Sequence, residues 1–256
     1  MTGNKNSINE VPSFHGYRVT ARLLESREYI LKVRENESLS ETSKRALVEG
    51  WFGVKSKDMT RRIVAYLYLR YSNYPLAIKI LKFSNDSIDM IDFRMISHFH
   101  LLLADPYYRW LTGVYLPSRK QDGFKFVSQE EVIYEFSKIV KSELEPITMK
   151  TYCSKLITTA RDVGLLNGKT KKEFEEPVLT ERTMLYIFLI WQSMSLPMSD
   201  FIGFAFYKSV LNEDSFIRIL ERGLVQDFWH YQIKDGYFSC SISMKKAEEE
   251  FGVVQC

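Results

Sequence analysis

From Tyr17 to about Gly123 apolar residues recur at helical spacing with hardly a break, and this periodicity points to a mainly α fold. Val19, Leu23, Leu24, Ile30 and Leu31 open the series, with arginines and glutamates between them. Ser40 is placed to cap a short helix that runs through Val48 and stops at Gly50. Ser56 caps the next, over residues 57–72, with Met59, Ile63, Leu67 and Tyr71 as its apolar stripe. Pro75 is a first-turn residue for a helix over 76–83. Two more helices follow, over 89–103 and from Pro106 through Leu116, and Pro117 is expected to end the second.

The segment 117–127 (PSRKQDGFKFV) is short, charged and glycine-containing, and it divides the chain into a helical unit 17–123 and a second unit 124–256, after a loose tail 1–16. Ser128 with Glu131 three residues later forms a capping-box pattern for a helix reaching about Leu144. Pro146 begins another, to about Val163, which Gly164 terminates. Asn167-Gly168 then marks a β-hairpin, with an alternating stretch to Leu179. Helices return over 181–196, 199–211 and 214–221. Residues 228–243 alternate around Asp235-Gly236, a second hairpin, and Lys245–Glu250 suit a short terminal helix. The expected fold is a multi-helix bundle with helix-turn-helix or winged-helix units and one or two short hairpins.

Composition removes several classes. Glycine (12) and proline (7) are scarce among 256 residues, against a turn-rich all-β chain, and 45% hydrophobic with 26% charged residues excludes wholesale disorder. Cys153, Cys240 and Cys256 lie far apart and form no CxxC pair, which suits a reducing cytoplasm and gives no zinc-finger signal. The polar start, MTGNKNSINEVPSFHG, lacks the apolar core of a signal peptide. The greasiest stretch, 184–198, holds 15 residues where a spanning helix needs about 20, so a buried core helix and no membrane association are expected.

Catalytic patterns are missing. His98 and His100 are two apart on a helix, so they do not share a face for one metal, and the expectation is one partly buried ring and one at the surface. His15 and His230 have no acidic or cysteine partner at a recognisable spacing, and no GxSxG, HExxH or GxGxxG occurs. Residues 164–170 (GLLNGKT) approximate a phosphate loop but have three residues between the glycines where four are needed, and they follow a helix rather than a strand. The reading is a non-enzyme without metal or cofactor.

Charge is informative locally, because the net charge is only +3. Over residues 146–172, Lys150, Lys155, Arg161, Lys169, Lys171 and Lys172 face a single acid, Asp162. Helix, turn, helix and then a two-stranded wing is the layout of a winged helix-turn-helix, whose second helix enters the major groove. Thr148, Thr151, Ser154, Thr158 and Thr159 add hydroxyls, groups that contact phosphates and base edges, while Met149, Tyr152, Leu156, Ala160 and Val163 face inward. A second cluster, Lys44, Arg45, Lys55, Lys57, Arg61 and Arg62 against Glu49 and Asp58, spans another helix-turn-helix stretch. The alternative at both places is an ordinary solvated helix face. Phe228, Trp229, Tyr231, Tyr237 and Phe238 make the second hairpin either an edge packed on the C-terminal helices or, if its aromatics are exposed, a protein-contact surface.

Four segments carry a family likeness: 17–34 (YRVTARLLESREYILKVR), 55–62 (KSKDMTRR), 66–81 (YLYLRYSNYPLAIKIL) and 148–166 (TMKTYCSKLITTARDVGLL). Over about residues 17–200 the chain resembles the BrxA family of bacteriophage-exclusion (BREX) defence systems in its opening helix, its Lys/Arg-rich helix start, its aromatic-Arg-Tyr-Pro-aliphatic junction and its Thr-x-x-Lys…Ala-Gly-Leu-Leu type of ending. Segments 105–127 and 224–256 lie outside the likeness, and here Arg-Asp-Val separates Ala160 from Gly164. The resemblance implies a mostly helical, non-enzymatic protein with helix-turn-helix units that binds double-stranded DNA as an accessory to phage defence, with other defence subunits as further partners. The remaining alternatives are a protein–protein scaffold, suggested by the aromatic hairpin and helix 184–198, and an RNA-binding helical module.

Overall fold

The computed structural model describes residues 20–140, 144–234 and 237–252. The expected tail 1–16, Val19 and the Asp235-Gly236 turn therefore lie outside the described residues. The fold is mainly helical with two small antiparallel sheets. Five helices come first: α1 (Leu23–Lys32), α2 (Leu39–Val48), α3 (Lys57–Tyr71), α4 (Pro75–Phe83) and α5 (Met90–Ala104). Ser56 and Asp89 cap α3 and α5 through their side chains, and Pro75 occupies the first turn of α4. The α2 cap is Ser38 rather than the expected Ser40, because Glu41 closes a reciprocal capping box with Ser38.

Helix α5 organises the core. It packs against α1, α3, α6 (Pro106–Trp110), α10 (Glu181–Ser193) and α11 (Ala205–Val210), and it is buried without interruption from Met95 to Leu102. This corrects the expectation that one of its histidines reaches the surface: both are fully buried, because neighbours cover α5 on nearly every side. The two rings still diverge. His98 bonds Tyr108 Oη (2.9 Å) through Nδ1 and Ser209 Oγ (2.8 Å) through Nε2, whereas His100 Nε2 meets Tyr186 Oη (2.7 Å). Burial lowers both imidazoles to about 3, so they are neutral. Arg70 is also interior, donating to the carbonyls of Thr20 (2.7 Å) and Ala21 (2.9 Å), and thus pins the start of the described chain onto α3.

Pro117 does not end its helix. Residues Leu111–Tyr115 form a π-helical turn in which Leu116 N–H donates to Leu111 O, five residues back, and helix resumes as α7 (Leu116–Gln121). Pro117 falls in the first turn after this irregularity, where a missing N–H costs least.

The second half holds α8 (Gln129–Ile139) and α9 (Pro146–Asp162), flanked by three short strands, β1 (Phe126–Val127), β2 (Leu166–Asn167) and β3 (Lys172–Phe174). Their sheet order is β1-β3-β2, antiparallel throughout. The expected capping box on α8 is half made. Ser128 accepts from Glu131 N–H, but the Glu131 carboxylate pairs with Arg119 (2.7 Å) instead of turning back. The alternation expected to Leu179 stops at Phe174.

Helix α10 is buried continuously from Thr183 to Trp191, as a core helix, and no helix among the described residues is long and apolar enough to cross a membrane. The helix expected over 199–211 is broken into a 3₁₀ turn (Met198–Phe201) and α11, because Phe204 is extended and sets its ring against Trp191 (5.1 Å). Then follow α12 (Glu213–Val225), β4 (Trp229–Lys234), β5 (Tyr237–Ile242) and α13 (Met244–Phe251). The β4–β5 register pairs Lys234 with Tyr237, as the hairpin pattern requires. Trp229, Phe238 and Phe228 are buried, and Trp229 and Phe238 pack on Phe188 (5.4 and 6.0 Å), so the edge-hairpin reading holds for them. Tyr237 and Ile233 are the exposed apolar residues of the pair of strands.

Candidate nucleic-acid interface

Helix α9 is held by its inner face. Tyr152 lies among Phe136 of α8 (5.3 Å) and Tyr107 of α6 (6.0 Å), with Leu156, Ile157, Ala160 and Val163 buried beyond it. Its hydroxyl donates to the carboxylate of Asp105 (3.3 Å), the same side chain that caps α6 by accepting Tyr108 N–H (2.8 Å). Burial raises the Asp105 pKa against the opposing pull of these bonds, and it also raises the Tyr152 phenol. Gln129 Nε2 donates to Lys150 O (3.2 Å), tying the start of α8 to α9. The orientation of α9 is therefore fixed from behind by ring packing and a carboxylate.

Its outer face carries Lys150, Thr151 and Ser154 exposed, with Lys155, Thr158 and Arg161 half-buried on the same side. These positions follow the three- and four-residue steps of one helical stripe. Lys150 forms no ion pair among the described residues, and the exposed Ile147 lies at the head of the stripe. Arg161 pairs with the adjacent Asp162 (2.6 Å), and Thr151 donates back to Ile147 O (2.7 Å). Thr159, expected among the outward hydroxyls, is buried instead, because it falls on the Leu156–Ala160 side of the helix.

The loop between β2 and β3 presents the remaining cations. Gly168 has φ +86°, and a β-carbon there would overlap the Lys171 carbonyl oxygen, so the turn requires glycine. Lys169 and Lys171 are exposed, and Lys171 stands over the Phe126 ring (4.4 Å) while pairing with Glu173 (3.7 Å). Lys172 folds back to the carbonyls of Gly168 (3.0 Å) and Lys169, and burial, then Arg161, holds its ammonium below the ordinary range. Strand β1 is absent from the sequence expectation, although its Phe126 braces this loop; two residues are too few to show alternation.

The other basic cluster is divided by its structure. Lys44, Lys57 and Arg61 are exposed and form no ion pair among the described residues. Arg62 pairs with Asp58 (2.9 Å) and Lys55 with Glu25 (3.4 Å). Arg45 is committed to structure: it holds Glu37 (2.9 Å) and Glu49 (3.2 Å), donates to Lys32 O (3.2 Å) and lies over Trp51 (5.3 Å). The two clusters thus offer unequal numbers of uncommitted cations.

No protein-family model matches the chain, and no curated protein or solved structure does either. No group of three or more His, Cys, Asp or Glu side chains among the described residues is placed to hold a metal ion.

Proposed function

We propose that the chain binds duplex DNA without catalysing a reaction on it, through a winged helix-turn-helix unit spanning residues 126–174, and that it does so as an accessory protein of phage defence of the kind the BrxA resemblance implies. The observation that carries this reading is topological. Helices α8 and α9 lie between β1 and β2, the strand order is β1-β3-β2, and the face of α9 turned to solvent is the one bearing Lys150, Thr151, Ser154, Lys155, Thr158 and Arg161. In such a unit the second helix lies in the major groove and the wing touches the neighbouring phosphates, which gives Lys169 and Lys171 their part. The α2–α3 pair, through Lys44, Lys57 and Arg61, is a second contact to the same polyanion.

The test is a gel-shift titration of duplex DNA at two salt concentrations, with duplex RNA as competitor. Affinity that falls steeply with salt and survives RNA competition is expected. Absence of binding at low salt transfers the reading to a protein–protein scaffold, for which exposed Tyr237 and Ile233 at the end of the β4–β5 hairpin are the contact residues to replace.

A further inference from the structure

The first turns of α9 differ in character from the rest of its outer face. The cations begin at Lys150 and continue with Lys155 and Arg161, whereas the residue ahead of them, Ile147, is a hydrocarbon side chain left 71% exposed. A single exposed isoleucine is ordinary on a protein surface. This one is singled out by its place. Ile147, Lys150, Thr151 and Ser154 follow steps of three and four, so it shares one stripe with the cations. The other large apolar side chains of α9, Met149, Tyr152, Leu156 and Ile157, are buried or half-buried. The charge next to Ile147 on the other side is the exposed Glu145, an acid that a phosphate would repel. This end of α9 is therefore unsuited to the DNA backbone, although it heads the helix that enters the major groove.

Thr151 extends the apolar character by one turn. Its hydroxyl donates to Ile147 O (2.7 Å). With that hydrogen used inside the helix, the exposed side chain offers its γ-methyl and an oxygen that can only accept. Neither suits guanine, whose major-groove edge carries two acceptors, N7 and O6. Both suit an A·T pair, in which thymine presents an apolar group, its 5-methyl, and adenine presents a donor, its N6 amino group. We infer that α9 reads thymine in the major groove, with Ile147 and the Thr151 methyl packed on thymine 5-methyl groups while Lys150, Lys155 and Arg161 meet phosphates. The inference rests on the duplex-DNA reading above and adds to it a base preference carried by apolar contact.

Gel-shift titrations of the full chain with an alternating A·T duplex, and with the same duplex carrying deoxyuridine in place of thymidine, test this, since the two differ by the 5-methyl group alone. The thymidine duplex is expected to bind about four- to fifteenfold more tightly, which is about fourfold for each methyl covered. Ile147→Ser is expected to remove about fourfold of that preference, and Ile147→Ser with Thr151→Ser the whole of it. The dependence on salt stays as steep in both variants, because neither residue neutralises a phosphate. Both positions are exposed, so the thermal midpoints stay where they are. Equal affinity for the two duplexes, each bound in a salt-dependent way, overturns the thymine inference and leaves the DNA reading standing. So does a preference that survives Ile147→Ser with Thr151→Ser. Absence of binding to either duplex at low salt overturns both.

Discussion

The indole of Trp229 occupies the space beside Gly223 so closely that a β-carbon on the glycine would overlap three of its ring carbons, Cζ2, Cε2 and Cη2. The same indole donates from Nε1 to Leu220 O (3.0 Å), so it is fixed both by contact and by hydrogen bond. This joins the β4–β5 hairpin to α12.

Gly223→Ala is therefore expected to destabilise the protein by about 1–3 kcal/mol, the usual penalty for overfilling a packed core, despite alanine being the better helix former. Urea unfolding followed by far-UV circular dichroism measures it. An unchanged midpoint would mean that the hairpin yields freely.

Replacing Lys150, Lys155 and Arg161 together by alanine is expected to weaken duplex DNA binding at every sequence. The dependence of log affinity on log salt should become shallower by about 0.9 for each phosphate that is no longer neutralised. Equal affinity and equal slope would remove α9 from the interface.

Arg45 and Arg61 belong to one basic cluster but differ in commitment. Arg45→Ala breaks the Glu37 and Glu49 pairs and is expected to lower the thermal midpoint while leaving the salt slope alone. Arg61→Ala is expected to do the reverse. A calorimetric scan with a salt titration on each variant separates the two.

Stability should fall on acidification. Burial lowers His98 and His100 to about 3 in the folded chain, so the unfolded chain binds protons first as pH drops below the ordinary imidazole value of 6.5. Each then costs up to about 1.4 kcal/mol per pH unit between 6.5 and about 3, and the folded state is most favoured above that window. Urea midpoints at pH 7, 6 and 5 check the slope. His100→Gln, which removes one titrating ring, should flatten it; a slope unchanged by that substitution would place the pH dependence elsewhere.

The long helices were legible because their periodicity and caps are properties of local sequence. Ser56, Pro75 and Pro146 act where the pattern places them. What escaped depends on partners distant in the chain. Whether His98 and His100 are buried is set by helices from both halves closing over α5, and nothing within the 90–104 stretch announces it. The two-residue strand β1 exists only because β3 pairs with it. Arg45 and Lys44 look alike in a charge count, and only the positions of Glu37 and Glu49 distinguish them. Thr159 counts as one more hydroxyl until the packed side of α9 is known. Apart from Thr159, the outward stripe of α9 is readable from the sequence, because the other expected inward residues that are buried, Tyr152, Leu156, Ala160 and Val163, are aromatic, aliphatic or small.

The π turn at Leu111–Tyr115 has a consequence for how this chain tolerates change in length. It accommodates one residue more than a regular helix would, and each residue of helix corresponds to about 100° of rotation. Deleting a single residue there would let the backbone ladder close as an ordinary helix and leave every side chain after it on its present face. Leu116 would stay in the core, and Arg119 would keep both Glu131 (2.7 Å) and the Phe124 ring (3.3 Å). A codon lost from a regular stretch such as α5 has no such reserve, and everything beyond it would turn by that angle.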